Sequence, residues 1–243
     1  MNFETAVADA LYVNWAIPAE RLPRPPAPLV IDRTLVSGES WGFVTLVLFR
    51  QRGLRAAAVG WPRLSFPQCN LRIPVRDRDK VAAVWIVREL VPAWVVPLAR
   101  GLARQPAAAA IFRAAGRCRD DRVIWSVHAG TALALEARGG TPAPSPPSLG
   151  GWDQTVAFFR DRTRAYFSGP RAHRVETRHP AVTALPMRVE LGTTEWLESL
   201  LPEVGAPAWQ SPHSAFLIPR AQLALETERQ RPVRVTVEAP APG

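Results

Sequence analysis

A chain of 243 residues with 47% hydrophobic content is long enough to bury a sizeable core, in one large β-rich domain or two small ones. Its formal charge of +9 would ordinarily raise nucleic acid or an anionic membrane as a partner, but the arginines are scattered from Arg21 to Arg234 rather than gathered on one helix, which argues against both. No stretch reaches the roughly 18 apolar residues that span a bilayer, and neither Cys69 nor Cys118 belongs to a Cys-x-x-Cys motif, so a reducing, cytoplasmic setting is expected.

In chain order, the N-terminus carries Glu4 and Asp9 and no basic leader before an apolar run. The runs 29–36 and 41–49 flank Ser37-Gly38-Glu39-Ser40, which predicts a hairpin. In the second run Trp41, Phe43, Val47 and Phe49 share one face and Val44, Leu46 and Leu48 the other, so this strand is expected to be covered on both sides. Further strands are predicted over 54–59, 68–76, 81–89 and 122–137, the last bent near Gly130. Residues 91–115, rich in Ala, Leu and Arg, predict two short helices, because Pro97 and Pro106 must start, kink or end their pieces. The arginine-rich run 113–122 is interrupted by Asp120 and Asp121 and reads as a solvated turn, with a local anion site as the alternative.

The proline-rich residues 139–151 predict a surface loop, and 152–166 an amphipathic helix with Val156, Phe159 and Thr163 on its stripe and Arg160, Asp161, Arg162 and Arg164 on its wet side. Strands are predicted at 173–178, 187–191, 215–219 and 233–238, with a short helix over 194–201 that Thr194 caps, and a frayed tail at 239–243. Turn signals recur without a true linker, so a single domain over 1–243, with its core at about 10–238, is expected. The fold class that follows is mainly β, a β-rich α+β arrangement.

Two motifs carry less than they promise. Gly38-Glu39-Ser40-Trp41-Gly42 matches the G-x-S-x-G elbow of hydrolases, but that motif needs a strand turning into a helix, and the β-forming run from Phe43 to Phe49 follows here. His128, His173, His179 and His213 never fall at metal-ligand spacing on a helix, so no metal site is expected from them.

The stretch Phe66-Pro67-Gln68-Cys69-Asn70-Leu71-Arg72-Ile73-Pro74-Val75, followed by Ala99-Arg100-Gly101-Leu102-Ala103-Arg104-Gln105-Pro106-Ala107-Ala108, resembles the central part of acetoacetate decarboxylase-like proteins. In those enzymes the proline of the second segment precedes a lysine that forms a Schiff base with a keto acid. Ala107 stands there in this chain, and Lys80, the single lysine among 30 Lys and Arg residues, lies in the charged turn 76–79. The resemblance therefore implies the fold, while chemistry that needs a desolvated amine has lost its reactive atom.

Over roughly residues 10–238 the chain also resembles an uncharacterised bacterial domain-of-unknown-function family of that superfamily, the YqjF-type proteins. The resemblance rests on Asn14-Trp15-Ala16-Ile17-Pro18, Gly42-Phe43-Val44, Asn70-Leu71-Arg72, Phe158-Phe159-Arg160-Asp161-Arg162 leading to Tyr166, and His179-Pro180. Thr163 and Ala181 depart from it, where family members tend to carry tyrosine and tryptophan. It implies an acetoacetate decarboxylase-like, cone-shaped antiparallel β-barrel with peripheral helices and an internal pocket, and no established reaction.

Gln68, Asn70 and Arg72 share one face of the central strand, opposite Cys69, Leu71, Ile73 and Val75. The resemblance puts Gln68 where the decarboxylases carry an acidic residue of the active site. Arg72 would hold a ligand carboxylate through its fork or face solvent; alternation gives no preference, and the resemblance favours the pocket. Arg100 matches an arginine adjoining the decarboxylase motif and is expected to pair with Glu89. His128 alternates with Ile124 and Ser126 opposite Val123, Trp125 and Val127, a pattern that fits a polar patch inside a barrel and a solvent face equally.

The candidate ligand-binding set is thus Gln68, Asn70, Arg72, Glu89, Arg100, His128 and Tyr166, with no metal and no cofactor. The expected function is binding of a small molecule, an organic acid or apolar metabolite. The alternative is an enzyme acting on a carbonyl or carboxylate substrate by acid/base chemistry through groups such as His128, Glu89 and Arg72. A nucleic-acid module would rest on charge alone, and oligomeric state is left open.

Overall fold

Apolar side chains that alternate along the chain favour strands, and strands dominate the computed structural model, which describes residues 2–58, 62–101, 105–117, 122–141, 149–167, 173–178 and 182–228. They are β1 (Asn2–Pro18), β2 (Val30–Ile31), β3 (Thr34–Val36), β4 (Glu39–Ala56), β5 (Leu64–Arg76), β6 (Ala82–Val91), β7 (Ala108–Ala109), β8 (Ile111–Arg117), β9 (Val123–Ala129), β10 (Thr131–Gly139), β11 (Arg164–Phe167), β12 (His173–Arg178), β13 (Leu185–Thr193) and β14 (Ser214–Glu228). Short helices join them: α1 (Val96–Gly101), α2 (Trp152–Arg160), α3 (Glu195–Leu200) and α4 (Ala206–Trp209), besides single 3-10 turns.

Pairing runs β1-β4-β5-β6-β11-β12-β14, and β14 pairs again with β1, so these seven strands return on themselves. The sheet as a whole is not a closed barrel: from β14 it continues through β13, β10 and β9 and ends at β8. Nor is it purely antiparallel, because β6 pairs in parallel with both β11 and β7. The mainly β architecture expected from the turn rhythm is present; the antiparallel closed form is corrected to a large mixed sheet.

One face of the ring packs Trp15, Leu46, Leu71, Ile73 and Trp85 against Trp125, Val127 and Leu133 of β9 and β10 and against Trp196 and Leu197 of α3. The other face holds Val7, Ala10, Phe43, Val47, Phe49 and Phe216, covered by Val156 and Phe159 of α2. Strand β4 is therefore buried on both sides, as its two apolar faces require. The apolar side of β5 packs largely beneath a second layer of strands rather than beneath helices alone.

Several elements differ from the sequence reading. Among its described residues, the segment 91–115 forms a 3-10 turn, the one helix α1 and then two strands: Pro106 disfavours a second helix there, and β8 finds a partner in β9; the charged run after Ile111 is thus partly strand. Residues 122–137 form a hairpin rather than one bent strand, turning at Gly130, whose φ of +82° suits glycine. The predicted separate strand at 54–59 is the end of β4, and 29–36 forms two short strands. Helix α2 stops at Arg160, leaving Thr163 exposed beyond the stripe, and β1 was not anticipated at all. The expected strand at 233–238, Cys118, His179-Pro180, Ala181 and most of the proline-rich loop lie outside the described residues.

Arg162 reverses its expected place on the wet side. Its side chain is 2% exposed and donates to Asp32 at 2.8 Å, to the carbonyls of Val75 and Ala83 at 3.2 Å each, and to that of Phe158 at 2.8 Å. The guanidinium also lies 4.2 Å from the Phe158 ring centre. This one side chain ties the end of α2 to β5, β6 and the segment after β2. No helix among the described residues is long and apolar enough to cross a membrane.

Candidate functional site

Register decides which side chains meet. Directly opposed residues of paired strands point to the same face, and two irregularities bring polar groups to the α2 side. In β1 a bulge at Asp9, with φ +52°, shifts the alternation so that Val7 and then Ala10 and Tyr12 share that face. In β6 a second bulge lets Ile86 oppose Arg72 and Glu89 oppose Asn70.

The result is a chain of buried polar side chains. Thr5 Oγ1 donates to Gln51 Oε1 at 2.6 Å, Gln51 Nε2 to Gln68 Oε1 at 3.3 Å, and Gln68 Nε2 to both Asn70 Oδ1 at 3.1 Å and Glu89 Oε1 at 2.9 Å. All five residues are buried. Asn70 accepts through Oδ1 in this chain, and its amide nitrogen has no hydrogen-bond acceptor among the described residues. Glu89 is 3% exposed, and burial pushes its carboxyl up to about 7.

Arg72 adjoins this chain. It is half-buried, its guanidinium lies 5.1 Å from the Tyr12 ring centre, and among the described residues it makes no ion pair. Its Nε is buried without a hydrogen-bond partner. Tyr12 is held in turn by stacking on Phe216 at 4.6 Å. The structure thus brings Gln68, Asn70, Glu89 and Arg72 onto one face, with Thr5, Tyr12 and Gln51, which the sequence reading did not single out.

The remaining candidates go elsewhere. Arg100 is exposed and donates through Nε to the Ala107 carbonyl at 3.0 Å, rather than pairing with Glu89. His128 is exposed on β9, while Val123, Trp125 and Val127 on the other side are buried, so of its two readings the solvent face is the one observed. Tyr166 is buried on the opposite side of the sheet, where its hydroxyl donates to Asp77 at 3.0 Å. Asp77 also accepts from Arg164 and from the backbone N–H groups of Asp79 and Val81, which ties the β5–β6 turn to β11.

Ala107, at the position where the resemblance calls for lysine, is fully buried with Phe66, Val91, Val95 and Ala99. Leu90 and Val91 of β6 run alongside Ala108 and Ala109, so Ala107 is level with Glu89. Lys80 is exposed in its turn with φ +60°, its N–H bonded to the Asp77 carbonyl. Ser40 lies in a strand pair after the Ser37–Gly38 turn, not at a strand-to-helix elbow. Cys69 is fully buried, and burial raises its thiol pKa well above the ordinary value.

The family model DUF2071, described as an uncharacterized conserved protein, matches residues 5–220. No curated protein matches the chain. Solved structures share the fold at low identity. The acetoacetate decarboxylase from Legionella pneumophila has a TM-score of 0.59 at 11% identity, over 95% of this chain and 88% of its own. The enduracididine biosynthesis enzyme MppR, in complex with the condensation product of pyruvate and imidazole 4-carboxaldehyde, has a TM-score of 0.59 at 12% identity, over 94% and 88%. An acetoacetate decarboxylase-like enzyme from Sphingomonas wittichii has a TM-score of 0.55 at 12% identity, over 94% and 93%.

Proposed function

Since the chain belongs to the DUF2071 family of uncharacterized conserved proteins, on an acetoacetate decarboxylase-like fold, we propose that it binds a small organic acid on the α2 side of the sheet without Schiff-base chemistry. One observation carries this reading: Arg72 lies half-buried over Tyr12 with no acidic partner among the described residues, on the same strand face as Asn70. A guanidinium withdrawn from water without a counter-charge is costly, and a ligand carboxylate relieves that cost through two parallel hydrogen bonds. The complex of MppR with a pyruvate-derived product supports the idea that this fold holds such acids.

The expected result for Arg72→Met is a loss of about 10- to 100-fold in affinity for butyrate or pyruvate by isothermal titration, since a hydrogen bond to a charged group contributes about 1.5–3 kcal/mol. Unchanged affinity in that variant would remove the proposal's main support. Schiff-base chemistry is expected to be absent: Ala107 offers no amine, and Lys80 is exposed in its turn rather than desolvated in a pocket as a Schiff-base lysine must be. Borohydride reduction in the presence of acetoacetate, followed by mass spectrometry, should leave the mass of Lys80 peptides unchanged.

A second reading, an acid/base enzyme, rests on Glu89, whose carboxyl at about 7 suits proton transfer near neutral pH. Of the three groups this reading draws on, His128 is exposed on β9, and only Glu89 and Arg72 share a face of the sheet. Binding is the better-supported function.

A further inference from the structure

Three of the five buried polar atoms that lack a hydrogen-bond partner among the described residues lie in one row: Asn14 Oδ1, Thr45 Oγ1 and Arg72 Nε. The register puts them side by side, because Asn14 of β1 opposes Thr45 of β4, and Thr45 opposes Arg72 of β5. The other two, the indole nitrogens of Trp125 and Trp209, belong to the apolar cluster on the opposite face. Asn14 is fully buried and Thr45 is 2% exposed. Buried polar groups in native proteins are nearly always paired, so three orphans on adjacent strands mark a place where something polar belongs.

The chemistry of the three atoms narrows what that is. The Asn14 amide nitrogen donates to Ser214, to its carbonyl at 3.3 Å and its hydroxyl at 3.1 Å, so Oδ1 is left as an acceptor that needs a donor. Arg72 Nε is a donor only, and the Thr45 hydroxyl can serve as either. A ligand hydroxyl above Thr45 completes the set: it accepts from Arg72 and Thr45 and donates its own hydrogen to Asn14. A ketone oxygen leaves Asn14 orphaned, a methylene leaves all three orphaned, and an ammonium group is repelled by Arg72.

We propose that the row Asn14, Thr45 and Arg72 recognises a hydroxyl group, so that the ligand of this face is a short 2- or 3-hydroxy carboxylic acid. This rests on the organic-acid reading above, with the carboxylate on the Arg72 fork and the Asn70 amide and the hydroxyl one row along the strands. A site built to hydrogen-bond a hydroxyl discriminates strongly against analogues that lack it, because its own buried groups are then left unpaired.

The test is isothermal titration of the purified protein with lactate, propionate and pyruvate, and with 3-hydroxybutyrate, butyrate and acetoacetate. At least one hydroxy acid should bind about 10-fold or more tighter than its deoxy and oxo counterparts, and Thr45→Val, which keeps the shape, should shrink that ratio. Asn14→Leu provides a second variant if the first leaves the ratio partly intact. Equal affinities within each series, or preference for the oxo acids, would mean that a resident water fills the row, overturning the hydroxyl inference while leaving the acid site standing. Binding of none of the six would overturn the acid-site reading itself, and this inference with it.

Discussion

Replacing Arg162 with methionine is expected to destabilise the protein by about 3–5 kcal/mol, the range measured when one partner of a buried ion pair is removed. Without Arg162, the Asp32 carboxylate, itself 7% exposed at the side chain, keeps only its bond to the half-exposed Arg76 at 2.9 Å. The carbonyls of Val75, Ala83 and Phe158 lose a donor at the same time. Burial first, and then the nearby positive charges of Arg76 and Arg72, hold the guanidinium below its ordinary pKa, while the hydrogen bond and charge of Asp32 pull the other way and favour the ion pair. Urea denaturation gives the free energy directly, and at roughly 2–4 °C per kcal/mol the melting temperature should fall by about 10 °C. Arg78→Met, at a side chain 78% exposed, serves as the control and should stay within about 0.5 kcal/mol of the parent. A loss below about 1 kcal/mol for Arg162→Met would mean that the clasp does not hold α2 to the sheet.

The second large effect is expected at Glu89, and it depends on pH. The carboxyl titrates near 7 in the folded protein against an ordinary 4.5, with burial as the cause. As pH rises, the unfolded chain therefore gives up this proton first. The stability present below about pH 4.5 is lost progressively until the folded carboxyl itself ionises near 7, for a total of about 3 kcal/mol at 1.36 kcal/mol per pKa unit. Glu89→Gln keeps an oxygen for the Gln68 amide and removes the titration, so its advantage over the parent should grow by about 3 kcal/mol between pH 4 and pH 8. Every other carboxylate titrates alike in both proteins, so urea melts at several pH values isolate this one group. A difference that stays constant across that range would show that Glu89 is ionised at no cost, and hence solvated.

Much of the site is written in local pattern. Period-two alternation along β5 puts Gln68, Asn70 and Arg72 on one face and four apolar residues on the other, and that division is observed: Cys69, Leu71, Ile73 and Val75 are all fully buried in the apolar cluster. The same logic made β4 legible as a strand covered on both sides. Where local signals mislead, a long-range partner is the reason. The alanines after Pro106 favour a helix in isolation, yet Ile111 to Arg117 pair with β9 and become strand. Strand β1 escapes notice because the bulge at Asp9 breaks its alternation. Arg162, a charge at a helix end, looks solvated until Asp32, 130 positions away, is seen against it.

The sequence by itself determined the fold class, the apolar and polar sides of the central strand, the hairpin at Ser37–Gly38 and the absence of lysine at position 107, because each of these depends on residue types and spacings within a few positions. Tertiary structure alone decided that Glu89 meets Gln68, that Arg100, His128 and Tyr166 lie elsewhere, and that Asn14, Thr45 and Arg72 form one row. These are matters of strand register, and a shift of one residue in pairing turns every side chain of a strand to its other face. No local spacing encodes that register; it is set by the two bulges and by the packing of both apolar faces at once.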